Sequence, residues 1–344
     1  MDLREDFGTR IEGSLFGSAY GDALAAPNEF IRETEEIERL YGKGGLTEPP
    51  GTVFLVTDDT QMSLAVGEAL VKAPRPFLET TLEPVLRRAF IDWMNSPDNT
   101  RAPGMTCMLA TRRLEEGDHW PQATVSHSKG CGANMRVGPV GMLRGIDSPT
   151  RAAIAQFQAA MTHGHPTALA ASDVTAYVLT ELLGGCSPGE LLPRLRAYVV
   201  SQRRVYHADW LRDLWQRVGA ESPEAFIAHG WDECVRVIDR LEAAVRDGDR
   251  EVDPCERTGD GWVAEEAFAT GLLCFLLFPE EPIAALRRAS VTRGDSDSIA
   301  CLTGGFAGAH LGMSAWPGEW AERIEYGDRL AALAAEMRRG ASTV

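Results

Sequence analysis

The spacing of apolar residues constrains the fold more than any other feature of this sequence. Across most of the 344 residues, apolar side chains recur three and four positions apart, whereas alternation of apolar and polar residues is scarce. The first spacing places side chains on one face of a helix, and the second is typical of a strand. The pattern therefore predicts an all-α fold, a helical bundle with helices over residues 11–24, 61–72, 83–93, 150–161, 168–183, 188–202, 209–218, 233–244, 264–278 and 298–312.

The interruptions of this pattern are short. Clusters of Gly, Pro and Asn at 42–50, 97–103 and 163–166 have the composition of loops rather than of interdomain linkers. The polar stretch 246–261 is the best candidate for a domain boundary, but it leads directly into another apolar helix. We therefore predict one domain over residues 1–344, with a core over about 11–337 and a frayed C-terminal tail.

Three glycines in the last predicted helix lie four positions apart, at Gly304, Gly308 and Gly312. Positions without a side chain then fall on one helix face, so another helix can approach closely. The apolar stretch is too short to cross a bilayer, which favours tight packing in a bundle over association of membrane helices.

Charge and cysteine content narrow the class of protein. The formal net charge is −16, from 34 basic and 50 acidic residues, which disfavours an extended nucleic-acid-binding face. No segment has the ~20 apolar residues of a membrane span, and the N-terminus does not resemble a signal peptide. The seven cysteines are scattered and form no CxxC pair. A reducing cytoplasm therefore fits the chain best.

An acidic cluster, Thr57-Asp58-Asp59-Thr60, stands immediately before the predicted helix 61–72. One side-chain oxygen is enough to cap a helix, so a cap alone explains only part of this cluster. Two adjacent carboxylates repel each other unless a cation neutralises them. The cluster is thus either a helix cap with an acidic first turn or one half of a metal site.

The segment 293–298 repeats this arrangement, with Asp295, Asp297 and Ser298 after a turn and before a helix. If the two helix starts meet, four carboxylates and the neighbouring hydroxyls converge, and only cations make that arrangement stable. These ligands are hard oxygens with no cysteine or imidazole beside them in sequence, so Mg²⁺ or Mn²⁺ is expected ahead of zinc. They could serve two ions roughly 3.5–4 Å apart.

Five blocks of sequence resemble the ADP-ribosylglycohydrolase family. They are GSLFGSAYGDALAAPNEF near the start, TDDTQM at 57–62, SKGCGANMRVGPVG at 128–141, THGHPTALAASD at 162–173 and RGDSDSIACLTGGFAGAHLG at 293–312. The resemblance implies an all-helical fold and a central cleft that holds two divalent ions, usually Mg²⁺. It also implies hydrolysis of the glycosidic bond between ADP-ribose and an acceptor, either a protein or a small molecule.

The resemblance assigns roles to individual residues. It implies that Thr57, Asp58, Asp59, Asp295, Asp297 and Ser298 are metal ligands, with Asp59 also counted among the catalytic residues. Glu29 resembles an acidic loop residue that contacts metal or acts as catalyst in some members, and is otherwise an ordinary loop glutamate. Asp98 lies where related enzymes place a carboxylate near the ribose, and is otherwise an Asx-turn residue.

A small-residue segment resembles the loop on which the family binds the diphosphate. Its members are Gly130, Cys131, Gly132, Ala133, Asn134 and Met135, and it ends on Arg136. Small residues let backbone N–H groups approach phosphate oxygens, and a helix starting there would add a favourable dipole. His163 lies near the nucleotide by the same resemblance, or is a structural histidine at a helix start.

Three positions depart from the common family pattern, since Ser298 replaces a frequent threonine, Cys131 a frequent asparagine and Arg293 a frequent glycine. A hydroxyl ligand survives the first change, and the second leaves the acceptor undetermined. We therefore predict an Mg²⁺-dependent ADP-ribosyl hydrolase. The alternatives are another metal-dependent hydrolase of nucleoside-type compounds on the same scaffold, and a non-enzymatic relative comparable to the lens crystallins of this family.

Overall fold

The computed structural model describes residues 3–339, and no strand is present among them. The prediction of an all-α fold is confirmed. The predicted frayed tail falls largely on residues 340–344, outside the described residues. The first helices are α1 (Leu3–Ala25), α2 (Thr34–Tyr41), α3 (Asp58–Lys72), α4 (Glu79–Met94), α5 (Met105–Glu115), α6 (Trp120–Ala123), α7 (Gly138–Gly141), α8 (Ser148–Ala160), α9 (Pro166–Leu183) and α10 (Pro188–Gln202).

The remaining helices continue to the end of the described chain. They are α11 (Ala208–Leu211), α12 (Leu214–Arg217), α13 (Pro223–Asp247), α14 (Pro254–Thr258), α15 (Ala264–Leu277), α16 (Pro282–Ser290), α17 (Ser296–Leu311), α18 (Trp320–Arg323) and α19 (Gly327–Arg339). Five of the nineteen begin on a proline, which suits the first helical position because it lacks the N–H that would have no partner there.

The predicted helix over 209–218 is wrong. The chain there forms two single turns, α11 and α12, separated by Arg212 with φ of +50°. A continuous helix does not accommodate that backbone conformation. The guanidinium of Arg212 instead reaches the buried carboxylate of Glu79 in α4, with Nη2 2.7 Å from Oε2. A tertiary ion pair therefore overrides the local helical pattern.

One cluster of buried hydrophobic residues runs from Ile11 to Met337, so the helices enclose one core in one compact domain. The stretch 246–261 does not divide it, because Cys255 in α14 is buried against Cys274 of α15 and Ile299 of α17. No helix among residues 3–339 combines the length and the apolar character needed to cross a membrane.

Helices α1 and α17 approach each other so closely that their backbones are in contact. A Cβ on Gly304 would overlap the carbonyl oxygen of Gly17, and one on Gly308 would overlap that of Gly13. As the residue number rises in α1 it falls in α17, so the two helices run antiparallel. The sequence prediction of close packing is therefore right for these two glycines. Gly312 differs, because it ends α17 with φ of +81°.

This antiparallel pair positions the site. The C-terminal end of α1, which carries Asp22, lies beside the N-terminal end of α17, where a Cβ on Gly21 would overlap the carbonyl oxygen of Ala300. The first turn of α3 is bound to the same end of α1 through Asp22. The starts of α3 and α17 consequently meet at one place in the core.

Candidate active site

A cavity of about 470 Å³ opens where the first turns of α3 and α17 meet. The two acidic clusters that the sequence places 236 positions apart (295 minus 59) line the same cavity. The lining residues are Glu29, Phe30, Asp58, Asp59, Ala102, Pro103, Gly104, Met105, Thr106, Cys107, Gly130, Cys131, Gly132, Met135, His163, Trp262, Asp295, Asp297 and Ser298.

The first cluster starts α3, and Thr57 is its N-cap. The Thr57 hydroxyl oxygen accepts the backbone N–H of Asp59 at 3.3 Å. Asp58 turns its carboxylate to the loop before α5 and accepts the backbone N–H of Gly104 at 3.0 Å. Asp59 is 2% exposed, and its Oδ1 has no hydrogen-bond partner among the described residues. The cap therefore leaves one buried carboxylate oxygen unsatisfied beside the cavity.

Asp22 supports this cluster from behind and was not singled out from the sequence. Its carboxylate accepts the backbone N–H groups of Thr57 and Thr60 at 3.0 and 3.1 Å, and the Thr57 hydroxyl at 2.8 Å. The Thr57 proton is thus directed to Asp22, which leaves a lone pair of that oxygen available to a cation. The sequence signal for this supporting role was that Asp22 is a charged residue within an otherwise apolar stretch of α1.

The second cluster starts α17. Asp295 accepts the thiol of Cys131, with Oδ2 2.8 Å from Sγ, and Asp297 accepts the backbone N–H of Ser298 at 3.0 Å. The Ser298 hydroxyl lies 3.6 Å from the same sulfur and 3.8 Å from Met135 Sδ. The fold therefore brings sulfur atoms beside an otherwise oxygen-lined cluster, which sequence spacing did not indicate.

Glu29 completes the acidic wall from the loop after α1. One carboxylate oxygen from each of Glu29, Asp295 and Asp297 lies within 4.8 Å of the others, a grouping able to hold a metal ion. Burial, followed by the charges of Asp297, Asp58 and Asp22, raises the pKa of Glu29 to about 9. The acidic wall is therefore built from three separate segments of the chain: the loop after α1, the start of α3 and the start of α17.

Burial is the main cause of high pKa values throughout the cluster. Burial raises the pKa of Asp58 to about 7, although the hydrogen bond from the Gly104 N–H acts in the opposite direction. Burial and then the charge of Asp297 raise the pKa of Asp22 to about 7 and those of Asp59 and Asp295 well above their usual range. So many buried carboxylates with one oxygen unpartnered match the donor set of a hard divalent cation.

The segment resembling a diphosphate loop forms part of the wall that adjoins the acidic clusters, since its Cys131 contacts Asp295. Gly130, Cys131, Gly132 and Met135 line the cavity, whereas Ala133 and Asn134 do not. The Asn134 side chain donates to the Ala264 carbonyl at 3.2 Å in the core. The loop contains a single 3-10 turn, Cys131–Ala133, so the dipole of a longer helix, expected from the sequence, is absent there.

His163 and His165, two residues apart, line different cavities. His163 is 1% exposed and lines the acidic cavity. His165 caps α9 and lines a second cavity of about 540 Å³ together with His127 and His229.

Exposed apolar side chains surround the mouth of the acidic cavity. Phe30 is 63% exposed and stacks on Trp262 with ring centroids 6.3 Å apart, and the Arg32 guanidinium lies 4.4 Å from the Trp262 ring centre. On the α5 side, Met105 is 84% exposed. The mouth therefore offers flat apolar surface next to the carboxylates.

Asp98 lies apart from this cavity lining. It is exposed, its carboxylate accepts the Tyr326 hydroxyl at 2.7 Å, and its carbonyl accepts the Gln61 side chain at 3.2 Å. The structure thus brings Glu29 and the two acidic clusters together but leaves Asp98 on the outer side of the loop before α5.

Comparison with known proteins adds independent information. A sequence profile of the ADP-ribosylglycohydrolase family matches residues 3–343. The chain is 24% identical over 338 residues to the ADP-ribosylarginine hydrolase Tri1 of Serratia proteamaculans (strain 568), covering 95% of this chain and 78% of that relative. It is 31% identical over 188 residues to the ADP-ribosyl-[dinitrogen reductase] glycohydrolase of Rhodospirillum rubrum, covering 51% of this chain and 58% of that relative.

A solved structure shares the fold. The ADP-ribosylglycohydrolase-related protein complex superposes with a TM-score of 0.67 at 24% identity, covering 98% of this chain and 99% of the other. At that identity the likeness concerns the architecture of the helices.

Proposed function

This chain belongs to the ADP-ribosylglycohydrolase family and is a hydrolase of ADP-ribosyl linkages, and we propose that it works with two Mg²⁺ ions held by the acidic clusters of α3 and α17. One observation carries the proposal: four buried aspartates from the starts of these two helices, together with Glu29, line a single cavity. A structural role alone would not require so many carboxylates without cationic side chains beside them.

The ligands we assign are Thr57, Asp58, Asp59, Asp295, Asp297 and Ser298. Their oxygens match hard divalent cations, and Mn²⁺ is the expected substitute for Mg²⁺. Bound ions would orient the oxygens of the substrate and activate the attacking water. The unpartnered Oδ1 of Asp59 supports this assignment because a buried carboxylate oxygen without a partner is costly.

We place the diphosphate of ADP-ribose on the adjoining wall, on Gly130, Cys131, Gly132 and Met135, with His163 beside them. Both glycines lie close to the His163 ring, so a larger side chain would fill the space between loop and ring. The distal ribose then faces the carboxylates across the cavity. This orientation puts the scissile bond between the acidic wall and the mouth.

We assign proton transfer to Glu29 rather than to Asp98. Glu29 lines the cavity at its outer edge, next to Phe30 and the mouth, whereas Asp98 is bound to Tyr326 outside the lining. A carboxyl group at that edge lies between the ribose and the departing acceptor and can exchange a proton with the acceptor or with water.

The acceptor leaves through the mouth formed by Phe30, Met105 and Trp262. The names of the two relatives above refer to ADP-ribosylarginine and to an ADP-ribosylated enzyme. We propose an ADP-ribosylated protein, or a small molecule carrying the same linkage, as the substrate. All seven cysteines are free thiols, which fits the proposed location in a reducing cytoplasm.

The test is hydrolysis of a panel of conjugates that carry ADP-ribose on arginine, on serine, on a nucleobase or on a small alcohol. Release of free ADP-ribose in the presence of Mg²⁺, its loss with a chelator, and its recovery with Mg²⁺ or Mn²⁺ are the expected results. Silence across the panel from protein that binds Mg²⁺ would refute the assigned substrate and favour another nucleoside-type glycoside. Full activity in the chelator would refute the metal.

A further inference from the structure

The backbone around His163 holds its ring in the wall of the cavity. The His163 N–H donates to the Ala159 carbonyl at 2.8 Å, and the residue forms an isolated parallel bridge with Val125. A Cβ on Gly130 would lie 3.3 Å from His163 Nε2, and one on Gly132 would lie 3.3 Å from Cε1. The ring therefore has little freedom to turn away from the loop that we assign to the diphosphate.

The two ring nitrogens have different surroundings. Nδ1 lies 2.8 Å from the hydroxyl oxygen of Thr162. Nε2 has no hydrogen-bond partner among the described residues, although His163 is 99% buried and lines the cavity. A ring nitrogen that faces the cavity without a protein partner can form a hydrogen bond to water or to a ligand there.

A buried arginine stands behind this pair. The Arg136 guanidinium is fully buried, and no carboxylate forms an ion pair with it among the described residues. Its Nε and Nη2 donate to the side-chain and backbone oxygens of Gln158 at 2.8 and 2.7 Å, and Nη2 also donates to the Thr162 hydroxyl at 2.8 Å. The ring of Phe90 lies 4.4 Å from the guanidinium carbon. A guanidinium group can only donate, so the Thr162 hydroxyl oxygen must be the acceptor of the hydrogen bond from Arg136.

That direction decides where the Thr162 proton goes. The hydroxyl oxygen uses one lone pair for Arg136, and its single proton has two acceptors within reach: His163 Nδ1 at 2.8 Å and the Ala159 carbonyl at 3.5 Å. The shorter bond is much the stronger. The positive charge of Arg136 also favours the tautomer whose unprotonated nitrogen, Nδ1, faces the guanidinium. Nδ1 therefore accepts the proton of Thr162.

We infer that Arg136 and Thr162 are positioning residues that fix His163 as the Nε2–H tautomer, so that a neutral imidazole donates a hydrogen bond to a diphosphate oxygen of the substrate. The identity of that oxygen rests on the function proposed above, whereas the tautomer does not. A neutral ring that accepts at Nδ1 carries its only proton on Nε2. Burial, followed by the charge of Arg136, lowers the pKa of His163 well below its usual range and keeps the ring neutral.

The tautomer is measured by nitrogen NMR on protein labelled at its seven histidines, with His163→Gln used to assign the signals. In the free protein at neutral pH we expect a proton on Nε2 and none on Nδ1. A proton on Nδ1, or on both nitrogens, would overturn the inference. Thr162→Val should remove the preference, and Thr162→Ser should retain it because the hydroxyl remains.

Binding of ADP and of ADP-ribose, measured by calorimetry, tests the donor role. Loss of one oriented hydrogen bond to a charged oxygen predicts roughly tenfold weaker binding of both ligands by Thr162→Val. Thr162→Ser should bind within about twofold of the unaltered protein, and it keeps the test valid if the valine variant does not fold. Unchanged affinity in a folded Thr162→Val protein would refute the positioning role of Thr162, because His163 would then donate equally well without it.

The two failures are distinguishable. If the unaltered protein hydrolyses no ADP-ribosyl conjugate but shows the Nε2–H tautomer, the proposed function fails and the positioning role stands. If it hydrolyses the conjugates but carries the proton on Nδ1, the positioning role fails and the function stands.

Discussion

Gly304 of α17 lies directly against Gly17 of α1, so that a Cβ atom on Gly304 would overlap the Gly17 carbonyl oxygen. Because the helices are antiparallel, Gly308, four residues later in α17, meets Gly13, four residues earlier in α1, in the same way. Both helices therefore need glycine at the contact, and the contact sets the distance between Asp22 and the start of α17. Helix packing and the acidic site are coupled through this pair.

The first prediction concerns that contact. Gly304→Ala should force the two helices apart and destabilise the protein by about 3 kcal/mol or more, because the new atom meets backbone rather than a flexible side chain. Metal affinity should fall with stability. Gly189→Ala in the first turn of α10 is the control, since a Cβ there meets nothing within 4 Å. Equal unfolding midpoints in denaturant for the two variants would contradict the prediction.

The second prediction concerns metal binding. Asp59→Asn or Asp297→Asn should weaken Mg²⁺ binding and abolish the stabilisation that Mg²⁺ gives the unaltered protein, about 2.7 kcal/mol at a concentration 100 times Kd. Calorimetry and thermal unfolding with and without chelator measure both quantities. Asp92→Asn, which changes an exposed carboxylate of α4, should behave as the unaltered protein. Normal turnover without tight metal binding in the Asp59 variant would refute the ligand assignment.

The third prediction separates the two candidates for proton transfer. Glu29→Gln should lower kcat by roughly 10²–10⁴-fold, the usual range for loss of a general acid or base. Asp98→Asn keeps the hydrogen bond from Tyr326 and should change kcat by less than about threefold. Mg²⁺ affinity is measured alongside, because Glu29 lies close to Asp295 and Asp297. The reverse order of effects would move the role to Asp98.

The fourth prediction concerns the mouth of the cavity. Phe30→Ala removes an exposed ring. Losing about 1.4 kcal/mol of apolar contact with the acceptor would weaken substrate binding tenfold. We expect KM to rise by that factor for conjugates with a large acceptor and to stay unchanged for a conjugate with a small alcohol. Val200→Ala, at a 67% exposed position of α10, is the control. A uniform rise in KM across acceptors would show that Phe30 contacts ADP-ribose instead.

The fifth prediction concerns pH and a carboxylate outside the site. Asp173 is buried in α9 and accepts from the Tyr198 hydroxyl and the Gln156 amide, yet burial raises its pKa to about 6. A folded-state pKa above the unfolded value of about 3.9 gives stability that is present below pH about 4 and is lost as pH rises through about 6. Asp173→Asn should remove this loss, roughly 3 kcal/mol at pH 8. An unchanged pH dependence of unfolding would contradict the assignment.

Sequence periodicity was sufficient for most long helices because their apolar residues recur three and four positions apart. The predicted segments 61–72 and 188–202 correspond to Asp58–Lys72 and Pro188–Gln202. The same spacing occurs at Leu330, Leu333 and Met337 of α19, so the sequence contained a signal for that helix that we missed. The error at 209–218 had no local signal, because it depends on the distant Glu79.

The acidic clusters were visible from the sequence because each exceeds what a helix cap requires. Asp22 was not, although it lies within a quoted block, and Arg136 was visible only as the last residue of the segment that resembles a diphosphate loop. Their roles depend on partners such as Thr57 and Thr162, which only the folded chain brings within hydrogen-bonding distance. A single polar residue in an apolar run signals an internal bond but does not identify the partner.

The pairing of α1 with α17 also has a consequence for biosynthesis. Gly17 and Gly304 are 287 positions apart (304 minus 17). At 5–20 residues per second, a ribosome needs roughly 15–60 s to deliver the second helix after the first. During that time the glycine-lined face of α1, including Asp22 at its end, lacks its native partner α17. Nascent chains should therefore depend on chaperones, and fragments that end before residue 296 should accumulate as insoluble material.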